Sequence, residues 1–257
     1  MYHISRTFGA SDRSDMNSDR CGLIILHGLG IPFPPEGMSS DIMAKMKNSF
    51  GLGVKENCIV KAPSAPTISV AMLPHTYMVN LVAPQTNVVS SWFNFWMLPG
   101  LSVVSPVAGE SKNDLQTALG WVEGYIKELI DAGVPNKNIV VMGFSQGGAL
   151  AFYTAVHTKY KIGGFIPIIT WLPLRKVESI TALPTPPVNK DTPILHLNGL
   201  HDPIVPYLPA GTKTAKEMNK VFTNYELRGV PGSHITTYPL NVEVIRNWIR
   251  KNTNLGC

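Results

Sequence analysis

Short apolar runs alternate with amphipathic stretches along most of this chain. Gly22 to Leu26 and Cys58 to Val60 read as strands. Ser111-Lys112-Asn113-Asp114 has the form of a capping box opening a helix. Leu115, Ala118, Leu119, Val122, Ile126 and Leu129 then recur at helical spacing and make one apolar face. Asn138 to Met142 is the next strand, with a helical segment from Gly148 to Val156 close behind it. Ile162 to Thr170, Pro193 to Leu197 and Asn224 to Leu227 supply later strands, and Ile166, Ile168 and Ile169 suit a sheet covered on both faces. A last helix from about Asn241 turns Val244, Ile245, Trp248 and Ile249 inward. This alternation predicts an α/β fold, with a mostly parallel central sheet and helices on both faces. Functional groups then belong in loops at the carboxyl ends of strands.

The pattern lapses in two places. Residues 1–20 are polar, lack the apolar core of a signal peptide and read as a flexible N-terminal extension to a single domain over 21–257. Met16 offers an alternative start. Lys61 to Gly109 has scattered prolines and no sustained periodicity, and reads as an elaborated loop, either ordinarily packed or partly a lid. Ile68, Val70, Met72, Leu73 and Met78 in it suit an apolar groove and core packing equally.

Composition narrows the function classes. A chain of 257 residues with 44% hydrophobic and 15% charged positions is long enough for a substantial core. The net charge of +5 is spread without a basic block, which argues against nucleic acid and is compatible with transient contact with an anionic membrane surface. No stretch is long enough to cross a bilayer. Cys21, Cys58 and Cys257 are far apart, without metal-ligand or CxxC spacing. The expectation is no metal, reduced thiols and a cytoplasmic location.

The chemistry concentrates at Gly143-Phe144-Ser145-Gln146-Gly147, between a strand and a helix. A G-x-S-x-G turn in that setting is a nucleophile elbow, which lifts a serine hydroxyl clear of the sheet edge. Such a serine needs a histidine base and an acid to orient it, following in the order Ser, acid, His. Asp202 stands just past a strand end and His234 in a loop before the final helix, so both order and placement fit. The Gln146 backbone N–H and that of Leu29, in His27-Gly28-Leu29-Gly30 after the first strand, are the candidate oxyanion donors. His27 is expected to brace that loop, and His196, inside a strand, to be core.

These elements resemble the acyl-protein thioesterase and lysophospholipase branch of the α/β-hydrolases, the phospholipase/carboxylesterase family. The resemblance rests on HGLG at 27–30, SWF at 91–93, GFSQGGAL at 143–150 and WLPL at 171–174. Asp202-Pro203 with Val205-Pro206, and His234, complete it, so that it spans about Gly22 to Lys251. It implies the α/β-hydrolase fold, Ser145, Asp202 and His234 as triad, Leu29 and Gln146 as oxyanion donors, and no cofactor. It also implies S-acylated proteins or lysophospholipids as substrates, with Trp92, Trp171 and Leu172 near them. The chain departs from the family where Ile31-Pro32-Phe33 follows HGLG and where Asn94 follows SWF, and the stretch before Ser91 is longer than usual. Chain-length preference therefore does not carry over. Three readings follow: a thioesterase acting on protein S-acyl groups, a lysophospholipase or general carboxylesterase, and a silent acyl-binding relative. The complete set of catalytic residue types disfavours the third.

Overall fold

In the computed structural model, residues 19–30, 51–69, 88–96, 109–175 and 178–256 are described. The strands among them are β1 (Cys21–Leu26), β2 (Cys58–Lys61), β3 (Thr67–Ser69), β4 (Val88–Ser90), β5 (Phe95–Trp96), β6 (Gly109–Glu110), β7 (Ile139–Phe144), β8 (Gly164–Ile168), β9 (Ile194–Gly199) and β10 (Tyr225–Val230). The α-helices among the described residues are α1 (Lys112–Asp131), α2 (Gln146–His157), α3 (Thr212–Met218), α4 (Thr237–Leu240) and α5 (Val242–Asn252).

Six strands join in the order β10-β9-β8-β7-β1-β2, with every neighbouring pair parallel. From β1 the chain goes to β2 on one side, and later resumes at β7 on the other. That reversal opens a crevice between the carboxyl ends of β1 and β7, where ligands bind in sheets of this kind. The other strands pair only locally and antiparallel, β3 with β4 and β5 with β6.

Two glycines show that helices cover both faces. A Cβ on Gly22 would lie 2.7 Å from Leu129 of α1, and one on Gly164 would lie 3.2 Å from Trp248 of α5. Register pairs Gly164 with Val140 and Val140 with Leu23, so Gly164 shares a face with Leu23 and opposes Gly22. α1 and α5 therefore lie on opposite sides. Only the N-cap half of the expected capping box is formed: Ser111 Oγ accepts from the Asp114 N–H at 3.3 Å, but the Ser111 N–H donates to Asn94 O and Asp114 Oδ2 accepts from the Asn94 N–H. Leu115, Ala118, Val122, Ile126 and Leu129 make its buried stripe. α2 is buried along nearly its whole length, which fits its run of small and apolar residues.

The observed strands differ from the periodicity at their ends. β8 stops at Ile168 rather than Thr170, because Ile169 takes φ 50° and turns the chain out of the sheet. The expected loop over Lys61 to Gly109 contains β3 to β6, while residues 70–87 and 97–108, and with them Val70, Met72, Leu73, Met78 and the lid expectation, lie outside the described residues. So do residues 1–18 of the expected extension and Ile31 to Pro35.

The expectation of three reduced thiols is corrected. Cys21 and Cys58 are register partners on β1 and β2, their Cα atoms are 4.5 Å apart, and their sulfurs form a disulfide. A separation of 37 residues hid this proximity, which only the parallel pairing creates. No helix among the described residues is long and apolar enough to cross a membrane.

Candidate active site

Ser145 sits between the end of β7 and the start of α2, at φ 53°, ψ −114°, a conformation costly for a residue with a side chain. Its N–H donates to Ile168 O at 2.9 Å, and its carbonyl accepts from Ala149 N at 3.0 Å and from Thr170 Oγ1 at 2.7 Å. The glycines on either side are obligatory. A Cβ on Gly143 would lie 2.1 Å from Gly147 O, and one on Gly147 would lie 2.3 Å from Leu26 O. The turn thus closes against itself and against the end of β1.

Two distant segments converge on this serine. His234 Nε2 lies 3.1 Å from Ser145 Oγ, and His234 Nδ1 lies 2.8 Å from Asp202 Oδ2. Asp202 Oδ1 accepts from the Ile204 and Val205 N–H groups at 2.7 and 2.9 Å. With a carboxylate at Nδ1, that nitrogen carries the proton and Nε2 is left as an acceptor facing the hydroxyl. The Asp202 side chain is fully buried, whereas His234 keeps 14% of its side-chain surface exposed. The carboxylate is thus shielded from solvent while part of the imidazole stays accessible. Phe144 packs 5.6 Å from the imidazole, centroid to centroid.

The loop after β1 runs beside the serine. A Cβ on Gly28 would lie 3.5 Å from Ser145 Cβ, so the backbone carrying Leu29 passes close to the nucleophile position. Gln146 opens α2, and the N–H groups of a helix's first turn have no partner within the helix. His27 braces the loop. It accepts from Ala65 N–H at Nε2, 2.9 Å away, and donates from Nδ1 to Gly28 O at 2.6 Å. Burial lowers its pKa, against an opposing contribution from the Gly28 carbonyl.

The residues expected near the substrate are largely buried. Trp92, Trp171 and Leu172 are only 2%, 3% and 2% exposed. Trp92 Nε1 donates to His27 O at 2.9 Å, and Trp171 Nε1 to Glu110 Oε1 at 2.8 Å. Leu172 N–H donates to Thr214 Oγ1 at 3.0 Å. A residue whose structural part the sequence did not disclose is Gln146. Its side chain accepts from Trp92 N–H at 3.0 Å and donates to Ser91 Oγ and Phe93 O, each at 2.8 Å. The SWF segment is therefore tied to the elbow by one amide. No group of three or more metal-ligating side chains occurs among the described residues.

A model of the phospholipase/carboxylesterase family matches residues 50–253. Acyl-protein thioesterase 1 of Neurospora crassa is 29% identical over an alignment covering 63% of this chain and 64% of that protein. Acyl-protein thioesterase 1 of Kluyveromyces lactis is 32% identical, covering 57% of this chain and 62% of that protein. The chain thus spans somewhat less than two thirds of the length of these two relatives. The crystal structure of Arabidopsis thaliana SOBER1 superposes with a TM-score of 0.68 at 25% identity, covering 91% of this chain and 99% of that one. The shared architecture is the α/β-hydrolase fold.

Proposed function

The chain belongs to the phospholipase/carboxylesterase family, and from that membership and the site geometry we propose that it is a serine acyl hydrolase. The observation that carries this reading is the unbroken hydrogen-bonded line from Ser145 Oγ through His234 to the buried Asp202 carboxylate. In the proposed reaction His234 Nε2 takes the Ser145 proton as Oγ attacks the acyl carbonyl. The oxyanion forms toward the Leu29 and Gln146 N–H groups. His234 then returns the proton to the departing thiolate or alkoxide, leaving an acyl group on Ser145. Finally it activates a water that releases the acid. Asp202 holds the imidazole in the required tautomer and stabilises the imidazolium. No cofactor enters.

The proposed substrates are long-chain thioesters on protein cysteines, in keeping with the names of the two fungal relatives. The family description supports a second reading, a lysophospholipase or carboxylesterase using the same residues. Transient contact with a membrane surface, a single catalytic domain over 21–257 and a cytoplasmic setting belong to the first reading. The Cys21–Cys58 disulfide weighs against that setting, because such bonds are rare in reducing compartments. The test is hydrolysis of a palmitoylated-cysteine peptide and of lysophosphatidylcholine by one preparation, with Ser145→Ala as control. Faster turnover of the peptide is expected. Preference for the lysolipid would install the second reading, and no Ser145-dependent hydrolysis of either would overturn both.

A further inference from the structure

The triad accounts for one side of the site, but a second set of hydrogen bonds joins the same groups from below. Thr170 Oγ1 donates to Ser145 O at 2.7 Å, and the Thr170 N–H donates to Asn198 Oδ1 at 3.2 Å. Asn198 Nδ2 donates to Val205 O at 3.1 Å, and the Val205 N–H donates to Asp202 Oδ1 at 2.9 Å. Asp202 Oδ2 meets His234 Nδ1, and His234 Nε2 faces Ser145 Oγ. The line closes on itself. Thr170 and Asn198 are both fully buried, so neither bond competes with solvent.

The geometry explains why such a bridge is needed. Ser145 follows β7 and Asp202 follows β9, with β8 lying between them. Two strand spacings put these loops roughly 10 Å apart at their roots, and the backbone ladder between them ends with the Ser145 N–H on Ile168 O and the Ile169 N–H on Leu197 O. Thr170 follows β8, beyond the turn at Ile169, and is aimed at the elbow on one side and at β9 on the other. We propose that Thr170 and Asn198 are positioning residues that set the separation of nucleophile and acid, so that one imidazole spans both. This rests on the proposed serine hydrolase mechanism and deepens it. Neither residue touches the reacting atoms.

Two variants of Thr170 separate hydrogen bonding from packing. A Cβ on Gly148 would lie 2.8 Å from Thr170 Cγ2, so the methyl group is packed under the elbow. Thr170→Val keeps that methyl and loses the donor, whereas Thr170→Ser keeps the donor and loses the methyl. Turnover of a p-nitrophenyl ester is measured per site titrated with a fluorophosphonate, so that misfolded molecules drop out. Since small misplacements of reacting groups cost up to about 100-fold, Thr170→Val is expected to lower kcat roughly 10- to 100-fold at nearly constant KM, and Thr170→Ser to stay within about threefold of wild type. Asn198→Leu should resemble Thr170→Val, and the double variant should lose little more than either single one, because a ring needs breaking only once. Wild-type kcat per titrated site in Thr170→Val, or equal losses in the Val and Ser variants, would overturn the positioning role while leaving the triad intact. Full activity in Ser145→Ala would instead sink the underlying mechanism, and the bridge with it.

Discussion

Ser145 keeps its left-handed backbone because its N–H and carbonyl are both held and the glycines beside it leave no room to relax. Asp202 is as fully constrained. Two backbone donors hold Oδ1, so Oδ2 is the only oxygen left for His234. In Asp202→Asn the amide would keep its oxygen on those donors and present NH₂ to the imidazole. Nδ1 would have to become the acceptor and Nε2 the proton carrier, unable to take the serine proton. Turnover should fall on the order of 10⁴-fold with little change in thermal midpoint, checked by steady-state kinetics beside a melting curve. Near-normal turnover would remove Asp202 from the mechanism. These three residues were legible in the sequence because chain order and strand-end placement mark them. Thr170 and Asn198 were not, since a threonine and an asparagine beside apolar runs carry no local signal. What they do depends on which strands become neighbours.

At the scale of elements, periodicity located the six long strands and α1, α2 and α5 to within a few residues. It missed β3 to β6, whose two or three residues are too few to show an alternation. The family resemblance marked SWF as a motif without disclosing its mechanical part. Gln146 joins the first turn of α2 to residues 91–93, and Trp92 in turn caps the carbonyl of His27 at 2.9 Å. Gln146→Ala would leave the Trp92 N–H buried without that partner, at about 1–3 kcal/mol, while the Phe93 carbonyl keeps the Ser91 hydroxyl as a donor. The expected result is a clear drop in denaturation midpoint together with slower turnover, although the Gln146 backbone donor is retained. An unchanged midpoint would show that the amide is not what fastens this segment to the elbow.

Across the whole molecule, the same burial that builds the core makes folding sensitive to acid. His196 is enclosed in β9, bonded through Nδ1 to the Tyr225 hydroxyl at 2.7 Å and edge-on to Phe152. Burial drives its pKa down to about 3, with a smaller opposing contribution from the Thr170 backbone. An unfolded histidine takes up a proton below about pH 6.5, whereas the folded one resists until about 3. The unfolded chain therefore binds more protons throughout that window. Stability is full above about pH 6.5 and falls as the pH drops, by a total on the order of 5 kcal/mol for this group. His27 acts in the same direction. Urea midpoints measured from pH 7 to 4 should decline, and His196→Gln should flatten the decline even if it lowers the starting value. A flat wild-type profile would contradict the burial of a neutral imidazole.

The parallel order β2-β1-β7-β8-β9-β10 brings the HGLG loop, the elbow, the acid loop and the histidine loop to one rim. Periodicity predicted a parallel sheet, and the order of its strands, which also pairs Cys21 with Cys58, emerged only in the folded chain. Ser145 is proposed as the group acylated at this rim. Peptide mapping of the protein after reaction with a fluorophosphonate tests it most directly. A single adduct is expected on Ser145, absent from both Ser145→Ala and heat-denatured protein; an adduct on another residue, or none on the active native protein, would show that Ser145 is not the acylated group.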